Sequence, residues 1–136
     1  ERLYGTCQRK GVCIMVGIGI DIANIARFEK YAADRKKAAR IFTETEICYA
    51  LAKHDPAQSF AAAFAAREAA FKAIGAWVPQ CTAQDFSLEH GQNGAPMIVL
   101  RPKAASALEN FCYHISVTHD AGVAVAVCVA EKKEDV

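Results

Sequence analysis

Three features of this sequence predict an α+β fold built on a mainly antiparallel sheet. A strand pattern opens the patterned part of the chain, helix patterns fill its middle, and strands joined by short turns close it. That order favours hairpin pairing, because parallel strands need crossover connections of about a dozen residues or more. In the first strand, Val16-Gly-Ile-Gly-Ile-Asp-Ile22, alternation puts Val16, Ile18, Ile20 and Ile22 on one face and Gly17, Gly19 and Asp21 on the other. Two glycines beside an acid leave that second face open to close approach by another backbone, a ligand or a metal. Positions 24–39 read as a helix whose outer face, with Arg40, carries Arg27, Lys30, Arg35, Lys36 and Lys37, the only basic cluster of the chain.

Thr43 followed by Glu46 is a capping-box pattern and starts a helix over about 44–53, after which Asp55-Pro56 caps the next one. That long helix ends at Gly75 and Pro79. At about 100° per residue, Phe60, Phe64, Arg67, Phe71 and Ile74 share a stripe, with Glu68 and Lys72 standing beside it. A plain core helix needs neither of these charges, so Glu68 and Asp21 form a candidate metal pair. Positions 85–90 and 97–101 flank Gly91-Gln-Asn-Gly-Ala-Pro96 as a hairpin. Pro102 starts a short helix through 111, and strands at 113–118 and 123–130 meet at His119-Asp-Ala-Gly122, the second strand being expected to lie buried on both faces.

Composition narrows the function. The 136 residues suit one domain, and 16 Lys and Arg against 15 Asp and Glu give nucleic-acid binding no support from net charge. Six cysteines, at 7, 13, 48, 81, 112 and 128, show no CxxC and no zinc-like Cys-His spacing, and read as free thiols in a reducing cytoplasm. No uninterrupted apolar run approaches the roughly 20 residues that span a bilayer. Positions 1–14 lack an apolar signal core and read as an extension or expression remnant, 15–131 as the domain, and 132–136 as a charged tail.

A third polar stretch is Tyr113-His-Ile-Ser-Val-Thr-His-Asp120. Period two places His114, Ser116 and Thr118 on one face and delivers His119-Asp120 to a turn. Hydroxyl and imidazole groups suit phosphate oxygens, which Lys72 would neutralise, so phosphate plus metal is the simplest joint reading. Each stretch also has a plainer one. Asp21 would cap a helix, Glu68 and Lys72 would form a surface i, i+4 pair, His114 would be a core histidine, and His119-Asp120 would be only a turn. His54 and His90 stand at element ends and suggest no role.

Taken in order, these stretches resemble the holo-acyl-carrier-protein synthases, the short class of 4′-phosphopantetheinyl transferases. The matching pieces are Gly-Ile-Gly-Ile-Asp21-Ile, Arg27, Phe42-Thr-Glu-Thr-Glu46, Phe64-Ala-Ala-Arg-Glu68-Ala-Ala-Phe-Lys72-Ala-Ile-Gly75, Asn93-Gly94-Ala-Pro96 and His114-Ile-Ser-Val-Thr-His119-Asp120. The resemblance implies the phosphopantetheinyl transferase fold and attack by a carrier-protein serine on the β-phosphate of coenzyme A, releasing 3′,5′-ADP, in fatty acid biosynthesis. It implies Mg²⁺ on Asp21 and Glu68, with Glu68 and Lys72 catalytic. It places Lys72, Gly75, Pro96, His114, Ser116, Thr118 and His119 at the coenzyme A site. It further implies a homotrimer with sites between subunits, and an acidic acyl carrier protein docking on Arg27, Arg35, Lys36 and Arg40. Two positions depart from the family pattern: Ala63 stands where arginine is usual and Arg67 where lysine is usual. Arg67, Arg101 or Lys103 is expected to replace the lost phosphate contact. A non-catalytic coenzyme A binding protein and a Mg²⁺-dependent pyrophosphate hydrolase remain as alternatives.

Overall fold

The computed structural model describes residues 13–133. Its first element, β1 (Cys13–Asn24), leads through a short 3-10 turn (Ile25–Phe28) into α1 (Glu29–Ala33) and α2 (Arg35–Ala38). The single helix expected over 24–39 is therefore broken. Asp34 takes an extended conformation and its side chain accepts from Lys37 N at 3.2 Å, ending one helix and capping the next. The caps read from sequence form as expected further on. Thr43 and Glu46 make a reciprocal capping box at the head of α3 (Glu44–Leu51), and Asp55 accepts from Gln58 N at the head of α4 (Pro56–Ile74).

The hairpin of β2 (Phe86–His90) and β3 (Pro96–Leu100) follows. The helix expected after Pro102 shrinks to a 3-10 turn at Ser106–Asn110, and β4 (Phe111–Asp120) and β5 (Val123–Lys133) complete the fold. Ala121 and Gly122 both have positive φ, at 50° and 79°, which is the geometry of a two-residue hairpin turn. The strands form one sheet in the order β1-β5-β4 and a separate β2-β3 pair, every pairing antiparallel.

α4 crosses the inner face of the larger sheet and supplies the centre of the core. Its alanine-rich side, including Ala65, Ala66, Ala69, Ala70 and Ala73, is buried, and its N-terminal half joins an aromatic cluster of Phe28, Tyr31, Phe42, Phe60 and Phe64. β1 lies close against this helix. A Cβ added to Gly17 would overlap the carbonyl oxygen of Ala73, and one added to Gly19 would overlap that of Ala69. The close approach that the glycines allow is used by the backbone of α4. The isoleucine face points the other way: Ile18, Ile20 and Ile22 are 60%, 62% and 63% exposed. β5 likewise is not buried on both faces, since Ala124, Ala126, Cys128 and Ala130 are buried while the valines between them are only half-covered or, for Val127, exposed.

Candidate active site

β1 is an edge strand whose outward carbonyls are met by side chains of, or just beyond, α4. Trp77 Nε1 donates to Val16 O at 3.1 Å and Lys72 Nζ donates to Ile20 O at 3.0 Å. The same ammonium donates to Asp21 Oδ1 at 2.9 Å. Asp21 lies on the inner face beside the glycines and is mostly covered, its side chain 16% exposed, whereas the Lys72 side chain is 50% exposed. The role of helix cap falls instead to Asn24, whose Oδ1 accepts from Ala26 N at 3.0 Å.

Glu68 stands one helical turn before Lys72 and does not pair with it. Among the described residues Glu68 has no hydrogen bond or ion pair, and its carboxyl is held above the ordinary glutamate range, first by burial and then by the neighbouring Asp21 charge, against the opposing pull of Lys72 and Arg67. Two carboxylates thus repel each other across the seam between β1 and α4, with one cation engaging only Asp21. A hard divalent cation relieves such a pair, and Mg²⁺ needs only one or two carboxylates, because it keeps waters and takes phosphate oxygens for the rest. Among the described residues no group of three or more His, Cys, Asp or Glu gathers as a metal cluster, so any cation here rests on this pair.

Arg67, next to Glu68, has a different fate. It is 2% exposed and donates to Ile41 O at 2.7 Å, Ala83 O at 3.3 Å, Gln84 Oε1 at 2.9 Å and Glu46 Oε1 at 3.1 Å. Glu46 is filled in turn by Thr43 N at 2.9 Å and Leu88 N at 2.8 Å. Every polar direction of the pair is satisfied inside the protein, which is the condition under which a buried ion pair is tolerated. Arg67 therefore cannot supply the phosphate contact missing at Ala63. Arg101 is also engaged, through Gln84, while Lys103 is exposed.

The remaining expected residues divide. His114, Ser116 and Thr118 alternate onto the outer sheet face, on the side of the exposed isoleucines and away from the inward-facing Asp21. Within one chain they are not brought together with the carboxylates. His114 Nε2 lies 3.0 Å from Glu131 Oε2, and its side chain is partly exposed rather than in the core. Thr118 and His119 border a cavity of about 140 Å³ at the far end of α4. Gly75 closes α4, its N–H donating to Phe71 O at 2.8 Å, and Pro96 opens β3. Arg27, Lys36 and Arg40 are exposed, as is Arg35, which is already paired with Glu44. Of the cysteines, Cys48, Cys81 and Cys128 are free, and burial pushes the Cys128 thiol up to about 12. Cys112 is in a disulfide, which corrects the reading of all six as free thiols; Cys7 falls outside the described residues.

Residues 17–128 match the model of the 4′-phosphopantetheinyl transferase superfamily. The chain belongs to that family. A holo-[acyl-carrier-protein] synthase of Moorella thermoacetica is 36% identical, over 86% of this chain and 94% of the relative. One from Treponema denticola is 35% identical, over 87% and 99%. Among solved structures, a holo-(acyl-carrier-protein) synthase of Bacillus anthracis in complex with CoA (3′,5′-ADP) superposes with a TM-score of 0.69 at 30% identity, covering 88% of this chain and 98% of that one. The α+β phosphopantetheinyl transferase fold and the enzyme class expected from sequence are thereby confirmed. Among the described residues no helix is long and apolar enough to cross a membrane.

Proposed function

We propose that this chain transfers 4′-phosphopantetheine from coenzyme A to a serine of an apo acyl carrier protein, with Mg²⁺ as cofactor and 3′,5′-ADP as the other product. The observation that carries this reading is the pair of opposed carboxylates, Asp21 and Glu68, with Glu68 unpaired and Lys72 within reach. Mg²⁺ on the two carboxylates would draw charge from the pyrophosphate and orient it. Lys72, long and half-exposed, can turn from Asp21 to a phosphate oxygen, supplying a flexible positive charge where negative charge develops. Glu68 is the nearest candidate for receiving the serine proton, directly or through water. Most of the catalysis on this reading is positioning and electrostatics.

The same reading assigns His119 to the nucleotide phosphates and the exposed arginines and lysines around the first helices to an acidic carrier protein. The outer sheet face supports a homotrimer: Ile18, Ile20, Ile22 and Val127 form an apolar surface of the kind that another copy of the chain would cover. Participation in fatty acid biosynthesis and a cytoplasmic location belong to this reading as well.

Intact mass of an apo acyl carrier protein, after incubation with the protein, coenzyme A and Mg²⁺, tests it. The expected result is a gain of one phosphopantetheine group that EDTA abolishes. Bound coenzyme A with no gain on several carriers would favour a non-catalytic binding protein. Release of 3′,5′-ADP without carrier modification would favour a hydrolase.

A further inference from the structure

We propose that Trp77 is a positioning residue for the carboxylate pair: by holding the carbonyl of Val16 it fixes a bulge in β1 that turns Asp21 toward Glu68. This rests on the reading of Asp21 and Glu68 as a cation site, and it gives a role to a residue that sequence patterning left without one.

The bulge sets which face of β1 carries the acid. Met15 lies opposite Glu131 but Gly17 lies opposite Ala130, so the ladder with β5 shifts here and Val16 has no partner in it. One extra residue of this kind reverses the alternation of faces. Met15 is 58% exposed on the outer side, whereas Gly17, two positions on, packs against the Ala73 carbonyl of α4. Everything after Val16 inherits the new phase: Gly17, Gly19 and Asp21 turn toward α4, and Ile18, Ile20 and Ile22 turn outward. Were the extra residue accommodated beyond Asp21, the acid would share the face of Met15, away from Glu68. A glycine-rich strand specifies its own register weakly, so the place of the bulge is set by a fixed point outside the ladder.

Trp77 supplies that point. Val16 O accepts from Trp77 Nε1 at 3.1 Å, and the Val16 side chain packs on the core. Trp77 follows closely on the end of α4, so the bulge is tied to the stretch of chain that carries Glu68 and Lys72. Lys72 makes a second tie at Ile20 O, four residues along β1 and about 13 Å away at the rise of a strand. The two ties are not equivalent. On the transferase reading Lys72 leaves Ile20 O and Asp21 for a phosphate oxygen, and among the described residues Trp77 is then the side chain still bonded to an outward carbonyl of β1. The indole N–H is an uncharged donor, which a phosphate does not draw away as it draws an ammonium. This also accounts for a tryptophan that is 53% exposed, with Lys132 Nζ 5.9 Å from its ring centroid.

The test uses Mn²⁺ as the probe of the carboxylate pair, its binding to the full chain read from the electron paramagnetic resonance of the free ion, together with hydrogen exchange of the segment 15–22. Trp77→Phe keeps a ring and removes the donor. It is expected to weaken Mn²⁺ binding about fivefold, to speed exchange of that segment and to raise the Mg²⁺ concentration needed for half-maximal transfer, with the carrier KM unchanged. Trp77→Gln, which keeps a side-chain N–H donor without the ring, is expected to recover most of the Mn²⁺ affinity. Wild-type Mn²⁺ affinity and exchange in Trp77→Phe would overturn the proposal, and so would equal losses in the two variants, which would mark ring packing rather than the bond. Mn²⁺ binding that is the same in wild type and Glu68→Gln would overturn the carboxylate-pair reading, while exchange of the segment tests separately the hold of Trp77 on the bulge.

Discussion

Arg67 and Glu68 are neighbours on one helix, yet one faces a closed ion pair and the other an open one. The Glu46–Arg67 pair is almost wholly excluded from water, with side chains 1% and 3% exposed, and each partner's remaining hydrogen-bonding capacity is met by backbone or by Gln84. On the Glu68 side, Asp21 is held by a lysine that is half in solvent, and Glu68 has no partner among the described residues. Both clusters pair an acid on one element with a base on α4, so charge pattern alone does not separate them. Completeness of the hydrogen bonding does. A saturated buried pair maintains the fold, whereas an unsaturated pair of carboxylates retains lone pairs for a cation or a substrate.

The largest expected effect breaks the closed pair. Glu46→Ala leaves the Arg67 guanidinium buried without its carboxylate and is expected to lower unfolding free energy by about 3–5 kcal/mol in urea titration. A loss below about 1 kcal/mol would mean that the pair is not closed as described. Glu68→Gln probes the open side: transfer to the carrier is expected to fall at least about 100-fold while urea stability stays near wild type. A variant with near-normal turnover would remove Glu68 from the site. Gly19→Ala tests the seam on which the open site depends, because its methyl must displace the α4 carbonyl at Ala69; a cost of about 1–3 kcal/mol is expected in the same titration.

A smaller effect concerns pH. Glu68 binds its proton more tightly folded than unfolded, so its contribution to stability is fully present below the ordinary glutamate value of 4.5 and is lost as pH rises through the raised folded value. Without added metal, wild type is therefore expected to lose stability relative to Glu68→Gln over the range just above pH 4.5. An unchanged difference across that range would show that burial and Asp21 do not disfavour the charged form. The smallest effect lies on the exposed basic face, where Arg27→Glu is expected to raise the carrier-protein KM several-fold at low salt and leave the coenzyme A KM unchanged, since exposed pairs contribute only about 0.2–1 kcal/mol. Equal changes for both substrates would remove Arg27 from the carrier interface.

Much of the candidate site was legible in the sequence. Asp21 beside two glycines and Glu68 on an apolar helix stood out because each breaks a local pattern, and the fold brings them together. The capping box at Thr43 and Glu46, the cap at Asp55, the closure at Gly75 and both hairpins were legible for the same reason, as each is written within a few residues. Arg67 was misread because its partners lie 16 to 26 residues away, at Ala83, Gln84, Glu46 and Ile41, and no periodicity reports such contacts. The break at Asp34 was missed because helical spacing continues through it while its side chain caps locally. The bond from Trp77 to Val16 joins residues 61 positions apart and left no trace in the pattern.

The sequence by itself determined the elements, most of their ends, the family and the two carboxylates, because periodicity, capping and turn chemistry act over a few residues. Tertiary structure decided which charges are spent on the fold and which remain open. It paired Lys72 with Asp21, closed Arg67 onto Glu46, turned the isoleucines of β1 outward and tied the Val16 carbonyl to Trp77. These outcomes depend on which side chains meet across the seam between β1, α4 and the β2-β3 hairpin. Burial and hydrogen-bond saturation are properties of that meeting, and no local pattern carries them.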